Sequence, residues 1–360
     1  MNLRDKLQKE WADAYQNHSG DGILHLCPRA GKIRTSINIF KDMEKQMKKK
    51  PKILIAYPDK NIQQSWEDDI AATKYKNAEV YYVTHISLGK VADKDYDCIV
   101  VDEIHLLSAK QKINLKALRK ANKSAFLIGL SGTLSEKTEI ELRTELKLPV
   151  IIDYPIEQAI SDGLISDYRI HIIKVNLDNQ IIVDKKKNRT EKQQHDALSW
   201  VIQKKGPSLF LNLARMRVIQ NSSAKVRKAQ VVLDKLKDKR VLVFCSNNKT
   251  AKELGCKIHT AKMNTQSEFE KFIKNSGKSN HYAVCKIGNT GVSFKDLDNI
   301  LVCAFDSNSE NLTQRICRSL ILDVKDKISN IYIITTTEKT ELRWLEKSLE
   351  FFDPNKVKYY

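Results

Sequence analysis

The stretch IVVDEIH (99–105) decides the fold. Cys98 and three further apolar residues run without a break into two adjacent carboxylates, Asp102 and Glu103. An apolar run this short reads as a buried strand delivering both acids at its carboxyl end. Adjacent acids there repel each other unless a cation or a proton-transfer role calls for both. Some 70 residues earlier, CPRAGKIRTS (27–36) takes a second strand end through a loop into a helical pattern. Such a junction turns backbone N–H groups and the positive end of a helix dipole toward an anion. Lys32 would neutralise phosphate charge, and Gly31 would let the main chain come close. Taken singly, this loop reads equally well as a plain strand-to-helix turn, and the Asp-Glu pair as a solvated acidic turn. Together they place a lysine loop and two carboxylates at strand ends of one α/β unit, where ligands of such sheets bind. Asp102 would hold a magnesium ion, directly or through water, and Glu103 would orient and activate an attacking water.

The surrounding pattern predicts an α/β fold of two tandem domains, each a parallel sheet flanked by helices. A helix near 3–17 lines up Leu3, Leu7, Trp11 and Tyr15. Strands follow at 22–27, 52–57, 80–84, 98–103 and 126–131, with helices at 32–48 and 108–121 between them. Pro155 and Gly163 interrupt the pattern. That predicts a first domain over 1–153, a linker over 154–167 and a second domain over 168–360. Further strands are expected at 169–175, 241–245, 282–287, 300–305 and 330–335, with a last helix near 338–352. The basic segment 184–237 reads as one long helical stretch over most of its length.

The 360 residues carry a net charge of +18. Residues 1–153 hold 26 Lys+Arg against 21 Asp+Glu, and 154–360 hold 36 against 23, so the excess lies in the second half. Residues 184–230 alone have 12 basic and 3 acidic side chains. This suits either a polyanion-binding surface or a solvated lysine-rich one. No apolar run approaches the roughly 20 residues of a membrane helix. The charged start, MNLRDKLQKEWADAYQ, has no secretory-signal pattern. A cytoplasmic protein without membrane contact is the expectation. Seven cysteines without a CxxC pair read as reduced core thiols.

In its order of motifs the chain resembles superfamily 2 helicases of the DEAH-like kind, with compact phage-type and restriction-enzyme helicases most similar. CPRAGK resembles motif I, LIAYPDKNIQQSW (54–66) motif Ia, THISL (84–88) motif Ib, VVDEIH motif II and LSGT (130–133) motif III. EQAISDGLI (157–165) resembles the connection between lobes, VLVFCSN (241–247) motif IV, GNTGVSF (288–294) motif V and QRICRS (314–319) motif VI. The resemblance implies two RecA-like lobes that hydrolyse ATP with Mg2+ and move along nucleic acid, with DNA favoured over RNA, as a monomer. It implies that Arg29, Ala30, Gly31, Lys32, Ile33 and Arg34 hold the nucleotide, with Gln8 reading adenine and Gly291 approaching from the second lobe. Gln314 and Arg318 would face the γ-phosphate, where an arginine stabilises charge in phosphoryl transfer. His105, Ser131 and Thr133 would couple the nucleotide to nucleic acid. Lys60, Thr84 and Ser87 would touch its backbone from the first lobe. Lys185, Lys186, Lys187, Arg215, Arg217 and Lys225 would do so from the second.

The nucleotide motifs depart from the family in three places. Ile33 has no hydroxyl for magnesium, although Thr35 would reach the site if the helix started differently. Cys317 replaces the usual glycine of motif VI, and Ile321 stands where a second arginine is expected. A competing expectation is therefore a nucleic-acid-binding or remodelling module that binds ATP with little hydrolysis. An RNA helicase is another. A P-loop kinase would leave motifs Ia to VI unexplained.

Overall fold

A computed structural model of the chain describes residues 2–18, 20–91, 94–259, 266–274, 280–285, 294, 297–306, 309–322 and 327–360. It divides into two compact units, Met1–Ile165 and Ser166–Tyr360.

The first unit contains α1 (Leu3–His18), β1 (Gly22–Leu26), α2 (Lys32–Met47), β2 (Lys52–Tyr57), α3 (Lys60–Ala72), β3 (Glu79–Thr84) and β4 (Cys98–Val101). It continues with α4 (Ala109–Ala121), β5 (Phe126–Ser131), α5 (Glu136–Leu146), β6 (Val150–Tyr154) and α6 (Ile156–Ser161). Its sheet runs β3-β2-β4-β5-β1-β6 with every pairing parallel. All four residues of β4 are buried, as an apolar run without alternation requires of a strand covered on both faces. Ile99 and Val101 pack in one core with Leu115, Leu118 and Leu142 of α4 and α5. Cys98 and Val100 point to the opposite face. Because the strands run one way, the carboxyl ends of β1, β4 and β5 open on one edge, with His25 in register beside Ser131.

The second unit contains β7 (Asp167–Val175), β8 (Ile182–Asp184), β9 (Arg189–Thr190), α7 (Glu191–Lys205), α8 (Leu209–Gln220), α9 (Ser223–Lys235) and β10 (Val241–Cys245). Then come α10 (Asn248–Glu253), β11 (Lys257–His259), α11 (Gln266–Ile273), β12 (His281–Cys285), β13 (Asn299–Val302), α12 (Ser309–Ile316), β14 (Ile328–Thr336), α13 (Lys339–Leu349) and β15 (Val357–Tyr359). Seven strands form a second parallel sheet, β11-β12-β10-β13-β14-β7-β15. Residues from α9 and α10 cover one face of it. The fold is thus α/β, two parallel sheets flanked by helices.

Two expectations change. Residues 154–165 are not a connection: Tyr154, Ile156, Ala159, Leu164 and Ile165 are buried in the first unit. Pro155 caps the start of α6, and Gly163, at φ 68°, turns the chain so that Leu164 N–H donates to Ala159 O. The punctuation marks helix ends, which proline and glycine also do. The segment 184–237 is likewise not one helix. It starts in the antiparallel β8–β9 hairpin and breaks at Gly206–Pro207–Ser208 and again at Asn221–Ser222 into α7, α8 and α9. All seven cysteines are buried and none is in a disulfide, as expected of core thiols. Among the described residues, no helix is long and apolar enough to cross a membrane.

Candidate nucleotide site

The loop between β1 and α2 is built around left-handed backbone. Arg29 has φ 77° and Gly31, the N-cap of α2, has φ 107°. Left-handed residues in such a turn form an anion-binding concavity. The first N–H groups of α2 have no acceptor within the helix, and its first turn carries no acidic side chain. Gln8 of α1 closes the loop from beneath. It is buried and donates from Nε2 to Ala30 O at 3.1 Å. A Cβ at position 31 would fall 2.0 Å from that same nitrogen, so Gly31 is required by space as well as by φ.

Lys32 extends from this loop to the end of β4. Its Nζ donates to Glu103 Oε1 at 2.6 Å and lies 3.8 Å from Asp102 Oδ1. Burial disfavours the ammonium, but Glu103 and Asp102 outweigh it and hold the lysine above its ordinary pKa. Burial raises Asp102, the nearby Lys32 pulls it down and Glu103 pushes it up again; the net direction is upward. Three contacts fix the Asp102 residue. Trp66 Nε1 donates to Oδ2 at 2.9 Å, Glu103 N–H donates to Oδ1 at 3.0 Å, and the His85 ring lies 3.0 Å from its carbonyl. Neither Trp66 nor His85 was singled out from sequence. Trp66 stood inside the motif Ia string, and its spacing from the carboxylates, 36 residues, carries no pattern. Glu103 takes φ 50°, uncommon for a residue with a side chain. Backbone of this kind concentrates at functional sites.

His105 and Ser131 are in direct contact. His105 Nδ1 is 2.8 Å from Ser131 Oγ. That hydroxyl donates its single proton to Thr133 O at 2.5 Å. The imidazole must therefore be the donor, which fixes the Nδ1–H tautomer and leaves Nε2 as acceptor. Burial, with Lys32 adding to it, pushes His105 down to about 3. The ring is neutral at physiological pH. His105 Nε2, Thr133 Oγ1 and Glu103 Oε2 are buried without hydrogen-bond partners among the described residues. Gly132, between Ser131 and Thr133, sits where a Cβ would lie 3.4 Å from Lys32 Nζ. One cluster thus holds Lys32, Asp102, Glu103, His105 and the 131–133 turn.

Other expected residues lie elsewhere. The α2 helix begins at Lys32, so the residue after the lysine is Ile33. Thr35 is buried and donates to Gly31 O, and Ser36 to Lys32 O. Arg34 is exposed and pairs with Asp69 at 2.7 Å instead of facing the carboxylates. Lys60 is exposed at the start of α3, while Thr84, which ends β3, and Ser87, just past it, are half-buried. In the second unit, Gln314 lies in α12 and Arg318 is buried just past it. Lys185, Lys186 and Lys187 are exposed in the β8–β9 turn, Arg217 is exposed on α8, and Arg215 is half-buried there. Lys225 is corrected: it is buried, paired with Glu341 and 3.4 Å from Cys303 O, so no nucleic acid can touch it. The acid-free run 197–233 around it made it look like a surface charge, whereas its partner comes from 116 residues away. Gly291 and nearly all of the motif V string lie outside the described residues.

No family model matches the sequence. A Type I restriction enzyme EcoAI endonuclease subunit from Escherichia coli is 24% identical over 189 residues, covering 47% of this chain and 23% of that protein. LlaBIII, an ATP-dependent Type ISP restriction-modification enzyme in a DNA-bound structure, matches 100% of this chain with a TM-score of 0.65 at 13% identity. The Hef helicase domain of Pyrococcus furiosus matches 96% at a TM-score of 0.54 and 12% identity. The chain spans 23% of the EcoAI subunit and 31% of LlaBIII, but 97% of the Hef helicase domain. The fold of this chain is thus two RecA-like α/β units, similar to those of LlaBIII and of the Hef helicase domain.

Proposed function

We propose that the chain is an ATP-dependent nucleic-acid translocase acting on DNA. The observation that carries this reading is the cluster of Lys32, Glu103 and Asp102 at the mouth of α2, joined through His105 to Ser131. The fold likeness to LlaBIII, a DNA-bound, ATP-dependent enzyme, supports DNA as partner.

The donor set fits Mg2+: a buried carboxylate oxygen on Asp102 beside an anion-binding loop, with water completing the shell of a hard cation that keeps several waters. When bound, the ion would neutralise charge that develops in phosphoryl transfer. Asp102 would hold it without help from Ile33. Lys32 has two alternative partners, the carboxylates and an incoming phosphate. While it grips Glu103, that carboxylate is a poor base; drawn to the triphosphate, it releases Glu103 to orient water. Gln8 braces the loop and is the group that reads adenine. Gln314 and Arg318 are assigned the γ-phosphate, and Gly291 the nucleotide, on the resemblance alone. Neutral His105 holds Ser131 and Thr133 in step with Glu103, which ties the nucleotide state to the strand-end loops.

The test is phosphate release with matched single-stranded and duplex DNA and RNA. Stimulation by nucleic acid, absent in Lys32→Ala and in Glu103→Gln, is expected. Turnover shared by both variants would remove the reading. ATP-dependent DNA affinity without phosphate release would favour a binding module, for which Ile33, Ile321 and the engaged Thr35 hydroxyl already speak.

A further inference from the structure

Among the described residues, the α7–α8 pair is tied down at its base. Glu191, at the start of α7, is buried and accepts from Asp178 N–H, Ser222 Oγ and Ser223 N–H, which joins both ends of the hairpin. From Asp196 to Val218 no residue is buried. At the tip Trp200 is 58%, Leu209 79% and Phe210 76% exposed. Large apolar groups gathered this way on a soluble surface mark a place where something docks.

Charge identifies the occupant. Residues 197–233 contain no acidic side chain. Lys204 and Lys205 close the tip, and Lys204 Nζ lies 5.7 Å from the centre of the Trp200 ring. Further down, Arg215 is pulled below its ordinary pKa by burial and then by the like charge of Arg343, a pairing that an anion would relieve. A protein partner would meet apolar surface with apolar surface and need acids to match these cations. Aromatic faces beside unpaired cations instead match unstacked bases on a phosphate chain.

We propose that the α7–α8 tip is a stacking platform for single-stranded nucleic acid, with Trp200 and Phe210 receiving bases and Lys204, Lys205 and Arg217 tracking the backbone. This rests on the translocase reading and sharpens it, because it puts the strand-selective contact on a helical hairpin outside the nucleotide cluster.

Trp200 is the exposed tryptophan of four, since Trp11 and Trp66 are buried and Trp344 is half-buried. In the full chain, a single-stranded oligonucleotide is expected to quench tryptophan emission, and Trp200→Phe is expected to remove the quench. Trp200→Ala should weaken single-strand binding by about 5- to 150-fold, the range for loss of one stacked base. It should scarcely change binding to a blunt duplex of equal length. Lys204→Gln with Lys205→Gln should lower the slope of log affinity on log salt by about 1.4. An unchanged melting profile checks that the variants fold. Equal losses on single strand and duplex would overturn the platform. So would a Trp200→Ala variant whose only defect is a lost self-association. Wild-type DNA binding and DNA-stimulated turnover persisting in Trp200→Ala would sink the platform alone. Failure of the wild-type chain to bind or respond to any nucleic acid would sink the translocase reading with it.

Discussion

Replacing Lys32 with methionine tests the electrostatics of the cluster without any ligand. At an effective dielectric constant of 20, the contacts at 2.6 Å and 3.8 Å correspond to about 6 and about 4 kcal/mol of Coulomb attraction. Desolvation of the lysine offsets much of this. Removing one partner of a buried pair typically costs about 3–5 kcal/mol, because the remaining charge is stranded. Here the stranded groups are carboxylates, which escape by taking up protons. Asp102 is already raised above its ordinary value in the wild type, by burial first. A group raised by folding contributes stability that is full below its unfolded pKa and is lost as pH rises through its folded one. Without Lys32 that folded value moves further up. The deficit of Lys32→Met should therefore be small near pH 4–5 and grow toward pH 8, reaching a few kcal/mol. Denaturant midpoints at a series of pH values, followed by emission of buried Trp11 and Trp66 in the first unit, measure it. A deficit that is the same from pH 4.5 to 8 would refute the reasoning, since a lost packing contact does not titrate.

Gly31→Ala should destabilise the first unit by more than about 1 kcal/mol, from φ 107° alone, and should weaken nucleotide binding because the new Cβ displaces Gln8; thermal melting and a nucleotide titration check both. Ser131→Ala removes the acceptor of the His105 proton, leaving a buried N–H unpaired at a cost of about 1–3 kcal/mol, and nucleic-acid stimulation of turnover should fall more than unstimulated turnover. Because His105 sits near 3, the pH–rate profile should show no His105 step between pH 5 and 8; a step in that range abolished by His105→Asn would contradict its neutral role. Lys225→Met should cost about 3–5 kcal/mol by stranding Glu341, while Lys225→Met with Glu341→Gln, whose amide oxygen still accepts from Thr336, should recover part of it; an unaffected Lys225→Met would mean that the pair is solvated.

Much of the fold was legible because buried parallel strands leave little choice of residue. The runs at 53–57 and 98–101 are apolar on both faces, and only a sheet covered on both sides tolerates that. Helices with a clear apolar stripe, such as α2 and α4, could be placed to within a residue or two. Short edge elements such as β11 and β15 were not seen, since three residues carry no period. Lys32, Asp102 and Glu103 were legible because parallel topology delivers successive strand ends to one edge. Trp66 and His85 were not, because their value to the site lies in one hydrogen bond each to Asp102, made across the sheet by residues whose local pattern says only that they are partly apolar.

Lys225 and Lys32 carry the same charge, and both are paired with a glutamate far along the chain. Sequence proximity to other cations made Lys225 look like a nucleic-acid contact, and proximity to a glycine made Lys32 look like a phosphate ligand. What separates them is the number of alternatives each partner has. Lys225 is closed in by Glu341, Cys303 O and the face of Phe305, and Glu341 is itself held by Thr336 through both N–H and hydroxyl. That arrangement has one state. Lys32 faces a carboxylate whose second oxygen accepts no hydrogen bond among the described residues, on a residue held in left-handed backbone, beside a helix start whose first N–H groups have no acceptor within the helix. The pair around Lys32 can be exchanged for phosphate contacts at little net electrostatic cost, whereas the pair around Lys225 has nothing to exchange with. Exchangeability, more than charge or burial, marks the first as the candidate site and the second as structure.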